Sequence, residues 1–337
     1  MAGQFIDMSA AADFVGPGAI EVPKYEAEIV DMVRRRGILG QRIRYEPANG
    51  HPHRYFEQTR IIRGAFTDPR NMTFNPGNDP TRRERAVMLK AIYGPVLFGL
   101  FDVELARQQG NYPQLLAKDI SDAVEGVLYT SDVALWNGTD TSLTVPATLE
   151  YVGGLTQINR TFTVASTASI VDSINQEVAD MMADKNFAVR PTAVYSNPKL
   201  IDLISQEERL NQRQMPSVPL NVTGGLVVTG LATAAGTLPL IPDWSLYNGA
   251  TGGSSTESGK TDYKCAIVTE NMIIFQYLTS QLPRVFGLGL EGDLGSRYSI
   301  VYFGAPVFRG KANFAQDQTV VETSTVSYPH SIGTVVR

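Results

Sequence analysis

The sequence predicts an α+β protein, and three features carry that expectation. Two apolar, strand-like runs between Tyr55 and Asp102 flank a polar tip, one long helical pattern runs from about Pro113 to Trp136, and from Ser169 onward helical and strand-like segments alternate. The chain of 337 residues is 43% hydrophobic and 19% charged, ordinary values for a folded protein able to bury one or two sizeable cores.

Residues 1–22 are small, Gly-containing and aperiodic, and read as an arm that orders only against something else. A first helix is expected to follow. Pro23 suits its first position, Glu26 and Glu28 complement its positive end, Arg34, Arg35 and Arg36 complement its negative end, and Gly37 stops it. The arginine triplet reads as helix-end or interface charge ahead of a nucleic-acid patch. From Ile38 to Phe66 the residues are extended in type, with QRIRYE alternating and RYFEQTRII rich in aromatic and β-branched side chains. The tip, TDPRNMTFNPGNDPTRR from Thr67 to Arg83, has almost nothing to bury. Asp68-Pro69, Asn75-Pro76-Gly77 and Asp79-Pro80 punctuate it with turn-forming pairs that blunt its edge. The return run is Ala86 to Phe98. A lone hairpin is marginal in water, so its expected partners are other copies of the chain.

Between Pro113 and Trp136, Leu116, Ile120, Ala123, Val127, Ala134 and Leu135 keep helical spacing while Lys118, Asp122, Glu125 and Asp132 fall elsewhere. At about 1.5 Å per residue this helix is some 35 Å long, enough to act as a spine. It ends at Asn137-Gly138, and the Thr/Gly-rich crossing from Thr139 to Leu155 leads toward a second domain. There a helix is expected over Ser169 to Lys185, with Ile170, Ile174, Val178, Met181 and Met182 on one face. A short buried strand over Thr192 to Asn197 and a helix opening at Pro198 follow, then short strands around Gly-rich turns from Ser217 to Asp243 and an exposed loop from Tyr247 to Thr261. CAIVTENMIIFQY and RYSIVYFGAPVF read as long strands of a closing sheet, and Asp317 to Arg337 as an extended polar tail.

Residues that could carry chemistry are few. Of the histidines, His51 and His53 read as a pair on a surface turn, with no converging third ligand for a metal near them or His330. The single cysteine, Cys265, cannot form an internal disulfide, fits a reducing compartment, and reads as a buried small hydrophobe. Gly287-Leu288-Gly289-Leu290-Glu291-Gly292 matches a phosphate-loop pattern, but a strand-like run follows where a helix should open, so a glycine-rich connection between strands is expected. No Walker lysine motif, nucleophile elbow or paired-histidine helix motif occurs. The Asn-x-Thr triplets at Asn71, Asn137, Asn159 and Asn221 read as chance matches. No catalytic, cofactor or metal site is expected, and the chain is not expected to be an enzyme. It lacks a signal-peptide start and any run near the roughly 18 apolar residues of a membrane span. A formal net charge of −5 argues against a general nucleic-acid coat.

The order of parts, together with LLAKDISDAVEGVLYTSDVALWNGTDT and its downstream GGL, RPTAVYSNPKLIDLIS, and RYSIVYFGAPVFRGKANFAQ, resembles the major capsid proteins of tailed bacteriophages, which share the fold named after phage Hong Kong 97. The resemblance covers nearly the whole chain. It implies an N-terminal arm with a short helix (1–37), an extended loop (38–98), a peripheral domain with the spine helix (99–155), an axial domain (156–290), and a return to the peripheral domain with a C-terminal arm (291–337). It further implies homopentamers and homohexamers in an icosahedral virion shell, assembled in the host cytoplasm, that encloses double-stranded DNA without reading its sequence and without a membrane. The loop tip would lie over a neighbouring subunit, making Asp68, Arg70, Asn75, Asp79, Arg82, Arg83 and Arg85 inter-subunit candidates. Some relatives cross-link through a loop lysine, but Lys90, well away from the tip, is the only lysine between Tyr55 and Phe98, so covalent linking is not expected. With the first helix expected by about Pro23, a separate scaffolding protein is expected, alongside a portal, and the sequence leaves open whether a decoration protein joins them. An encapsulin, the same fold enclosing a cargo enzyme, is the alternative, and a nucleotide-dependent enzyme using the glycine motif is the reading from another class.

Overall fold

Strand pairing sorts the chain into two main sheets and a separate hairpin. The computed structural model describes residues 37–60, 68–70, 81–99, 108, 112–139, 149–183, 189–211, 217–219, 227–246, 262–291, 295–310 and 329–336. The expected first helix and the loop from Tyr247 to Thr261 lie outside them.

The five-stranded sheet holds β1 (Arg44–Pro47), β4 (Lys90–Gly99), β11 (Ile273–Tyr277), β12 (Arg284–Glu291) and the long β13 (Gly295–Phe308). β4 lies antiparallel to β13 from Lys90↔Gly304 to Gly99↔Gly295. β11 and β12 pair successive stretches of the same strand, Ile273↔Phe308 to Tyr277↔Gly304 and then from Arg284↔Val301 onward. The seven-stranded sheet runs in the order β5 (Thr161–Val164), β14 (Ser331–Val336), β10 (Asp262–Val268), β6 (Ala193–Ser196), β9 (Gly236–Pro242), β8 (Val227–Thr233) and β7 (Ser217–Pro219). The two-stranded hairpin pairs β2 (His53–Arg60) with β3 (Thr81–Val87).

The helices form where their periodicity and caps dictate. The spine helix, Tyr112–Asn137, lies within one residue of its expected bounds at each end. Its Val127 is buried against β4, where a Cβ on Gly94 would come within 2.9 Å of Val127 Cγ2, so glycine permits the close approach. The helix Ile170–Met182 buries Ile170, Ile174, Val178 and Met181, and its N-cap Ser169 accepts from the Asp172 amide at 3.1 Å. The helix Pro198–Leu210 opens on Pro198 with Asn197 accepting from the Lys199 amide at 3.0 Å. These last two helices pack on one face of the seven-stranded sheet to form one core, while the spine helix and the inner face of the five-stranded sheet form the other together with Tyr195, Ile241, Ala266 and Ile332 from the opposite face of the seven-stranded sheet.

Several expectations are corrected. Ile38 onward is not all extended, because Leu39–Arg42 makes a helical turn held by tertiary partners. CAIVTENMIIFQY is not one strand: a 3-10 turn at Glu270–Met272 breaks it, leaving β10 in the seven-stranded sheet and β11 in the five-stranded one. Ser331–Val336, part of the stretch read as an extended polar tail, is a strand inserted between β5 and β10, with Ile332 and Val335 buried. Gly287 and Gly289 lie inside β12, at a register shift, rather than in a connection. The polypeptide can switch sheets at Thr269–Met272 because Glu270 turns inward there. Arg42 Nε and Nη2 donate to its two carboxylate oxygens at 2.5 and 2.7 Å, and the Tyr195 hydroxyl donates to Oε1 at 2.6 Å. Two further carboxylates hold the same stretch: Asp132 accepts from the Gly37 amide at 2.8 Å, and Asp243, fully buried, accepts from the Leu39 amide and the Trp136 indole.

Gly138 and Gly153 clasp the end of the spine helix, with the Gly153 amide donating to the Gly138 carbonyl at 2.9 Å. A Cβ on Gly153 would come within 2.5 Å of the Gly138 nitrogen and the Trp136 oxygen, all backbone atoms that cannot swing aside. Gly153→Ala is therefore expected to lower unfolding stability by about 1–3 kcal/mol. Gly126→Ala, at an exposed helical position where a Cβ meets nothing within 4 Å, should raise it by up to about 1 kcal/mol. Denaturant titration of both variants checks the pair.

Candidate assembly surface

Among the described residues, the hairpin packs on the rest of the chain at its base. Alternation along β2 turns His53, Tyr55 and Glu57 to one face and Arg54, Phe56 and Gln58 to the other. On the first face Tyr55, Val87 and the following Leu89 pack on Ala305 and Val307 of β13, forming a small third cluster. Glu57 ties this base down by accepting from the Gly310 amide at 2.8 Å and from Arg85 Nε at 3.3 Å. Burial pushes the Glu57 carboxyl upward, against the opposing pull of the Gly310 amide and the Arg85 guanidinium. The other face is open. Phe56 is 73% exposed, and beside it Arg54 and Glu84 form an exposed ion pair at 3.2 Å. Exposed pairs of this kind contribute little to stability, about 0–1 kcal/mol.

The sequence candidates separate on this geometry. Asp68 and Arg70 are exposed, and Asp68 Oδ1 accepts from the Arg70 amide at 2.9 Å, which closes a local turn. Asn75 and Asp79 lie outside the described residues. Arg82 and Arg83 belong to β3 rather than to the tip, opposite Gln58 and Glu57, and Arg82 is exposed. Arg85 is buried at 5% exposure and its guanidinium pairs with Glu57 of the same chain. The sequence reading missed Glu57 and Phe56, although the alternation of RYFEQTR already put them on opposite faces.

The groups weighed for chemistry occupy structural positions. His53 is not on a surface turn but is buried at the start of β2, where Nδ1 accepts from the Asn49 amide at 3.2 Å; burial, with Arg309 nearby, pushes its pKa down. Cys265 is fully buried and desolvation pushes its thiol up to about 12, so it is protected from reaction at neutral pH. Gly287 and its neighbours run on as strand to Glu291, without the strand-to-helix turn that a phosphate site needs. Among the described residues no group of three or more histidine, cysteine or acidic side chains could hold a metal ion.

No protein-family model matches the sequence, and no curated protein matches it either. The backbone does find relatives among solved structures. The head structure of Helicobacter pylori bacteriophage KHP40 superposes with a TM-score of 0.62 at 8% identity, covering 99% of this chain and 97% of that one. The fold is that of phage capsid shells. A native GTA particle capsid shares the capsid fold at a TM-score of 0.60 and 10% identity, covering 99% and 100% of the two chains. So does the SrpI encapsulin of Synechococcus elongatus, at 0.51 and 11% identity over 98% and 95%. At such identities the likeness lies in the path of the backbone.

His330 provides a readable probe of the strand that closes the seven-stranded sheet. It is fully buried just before β14, its Nδ1 accepts from the Thr269 amide at 3.3 Å, and its ring meets Phe308 edge-on. Burial pulls its pKa down to about 3, below the usual 6.5. A depressed histidine contributes stability that is complete above its unfolded pKa and is lost as the pH falls toward the folded one. Thermal midpoints between pH 7 and pH 4 should therefore fall more steeply for the native chain than for His330→Gln; equal slopes would show that His330 does not carry the acid sensitivity.

Proposed function

We propose that this chain is the major capsid protein of a tailed bacteriophage, assembling as pentamers and hexamers into an icosahedral shell around a double-stranded DNA genome. The observation that carries the reading is coverage. The likeness to the KHP40 head and the GTA capsid extends over essentially all of each chain, so what is shared is the whole shell subunit and not one common module. Physical features support it as well. The hairpin has two strands, an open face and a core only at its base, which suits a reach across a neighbouring subunit better than a freestanding element. Many such contacts, each modest, sum by symmetry into a stable shell. In this reading Asp68, Arg70, Asn75, Asp79, Arg82 and Arg83 sit on or beside the reaching segment. A separate scaffolding protein, a portal and a decoration protein are proposed as partners, and the virion as the location.

A second reading is an encapsulin shell, favoured by the SrpI likeness, though at a TM-score of 0.51 against 0.62 for the phage head. Particles that carry protein cargo and no DNA would select it.

Deleting Asp68 to Asn78 tests the proposed reach. The shortened chain is expected to keep native circular dichroism and a single cooperative melt, because Asp68, Pro69 and Arg70 are exposed and the deleted sequence is mostly polar and turn-forming, yet to yield no closed shells by electron microscopy under conditions where the full chain forms them. Normal shells from the deletion would remove the tip from the assembly contact.

A further inference from the structure

Asparagine followed by glycine brings a side-chain amide next to the least shielded of backbone nitrogens, because glycine has no Cβ to crowd the approach. The chain holds three such pairs, Asn49-Gly50, Asn137-Gly138 and Asn248-Gly249, of which the first two lie among the described residues. The fold treats these two oppositely.

Asn137, the last residue of the spine helix, is locked. Its Nδ2 donates to the Val133 carbonyl at 3.2 Å and to the Ser245 carbonyl at 2.5 Å, and the buried Gly138 amide donates to the Ala134 carbonyl at 3.1 Å. Side chain and nitrogen are both committed elsewhere. Asn49 instead stands exposed in the turn between β1 and β2. That turn is pinned by the Ala48 amide, which donates to the Tyr277 carbonyl at 2.8 Å, and by the Asn49 amide, which donates to His53 Nδ1 at 3.2 Å. Within it, the Asn49 side chain and the Gly50 amide have no hydrogen-bond partner among the described residues. A Cβ built on Gly50 would meet only the Pro52 carbonyl oxygen, at 3.7 Å. The nitrogen is unengaged and uncrowded.

We propose that Asn49 is a site of spontaneous covalent modification, converting to aspartate and isoaspartate through a cyclic imide formed with Gly50. The Gly50 nitrogen gives its proton to solvent and attacks Asn49 Cγ; the new N–C bond closes the ring and the Cγ–Nδ2 bond breaks as ammonia leaves. Both reacting groups belong to one turn, so no encounter has to be made. Solvent water then opens the ring. Attack at Cγ leaves aspartate, whereas attack at the main-chain carbonyl leaves isoaspartate, whose backbone runs through Cβ and Cγ. The sum is one amide and one water giving one carboxylate and ammonia, with nothing oxidised or reduced. Either product sets a new negative charge at the root of the hairpin, and isoaspartate lengthens the main chain inside the loop that the Asn49–His53 hydrogen bond closes. The proposal stands apart from the shell reading.

Mass spectrometry of the full-length chain tests it. Free subunits are aged in mildly alkaline buffer, folded and in guanidinium, then digested, and each Asn-Gly peptide is followed separately, with isoaspartate identified by isoaspartyl methyltransferase. In the folded chain Asn49 is expected to convert about ten-fold faster than Asn137 or more, with isoaspartate among its products, and in denaturant the two rates should draw level. Gly50→Ala, for which the turn has room, should slow the reaction about ten-fold or more and leave the circular dichroism unchanged. If that variant fails to fold, the folded and denatured rates of the native chain decide alone. An Asn49 that stays intact in the folded chain while converting in denaturant, or that converts no faster than Asn137, would overturn the proposal. A lead that persists unchanged in denaturant would show that flanking sequence and not the fold selects the site, which overturns the structural argument. Aspartate without isoaspartate, or an undiminished rate in folded Gly50→Ala, would overturn the ring closure.

Discussion

The part-buried carboxylate of Glu270 is the point on which the passage of the chain between the two sheets depends. It sits where the chain leaves β10 for β11, and without inward partners a carboxylate there would turn to water and the two apolar runs could continue as one strand. Arg42 and Tyr195 hold it, joining the turn that follows Gly37 to the centre of the seven-stranded sheet and to the first strand of the other. Asp132 and Asp243 repeat the pattern on Gly37 and Leu39. The pair is part-buried, and removing one partner of such charge-assisted hydrogen bonds costs about 1–3 kcal/mol. Residues 37–42 therefore act as a peg, with acids from the spine helix, the loop after β9 and the sheet-switching turn gripping successive positions.

From that fixed body the hairpin is a departure. Its base is secured by Tyr55, Val87 and Leu89 against β13 and by Glu57 through Arg85 and Gly310. Beyond the base, Phe56 is exposed and the two strands have no further strand partner among the described residues. A lone soluble subunit would be poorly served by both features, while a repeating assembly turns each into a contact. The capsid fold and the unfinished strands thus point the same way from independent observations, one from the backbone as a whole and one from side-chain exposure.

Much of this was legible in the sequence where the signal is local. The spine helix is periodic over seven turns, the helices after Ser169 and Asn197 carry their own caps, and the hairpin announces itself by alternation and turn residues. The order of these parts was enough to suggest the capsid fold, which the solved relatives share. What could not be read depends on distant partners. Nothing in CAIVTENMIIFQY marks the break at Glu270, because its cause, Arg42, lies 228 residues away. Arg85 reads as one more arginine beside an exposed tip until Glu57, across the hairpin, is seen to bury it. His53 and the strand at Ser331–Val336 were misread for the same reason: each is buried by elements whose positions only the tertiary fold decides.

Hydrogen–deuterium exchange, compared between free subunits and assembled particles, tests the division between a self-sufficient body and a hairpin completed by its neighbours. Amides of β6 and β10, paired on both edges, should be protected in both states, while those of β2 and β3 should exchange quickly in the free subunit and at least ten-fold more slowly in the particle. Strong protection of β2 and β3 in the free subunit, unchanged on assembly, would contradict it.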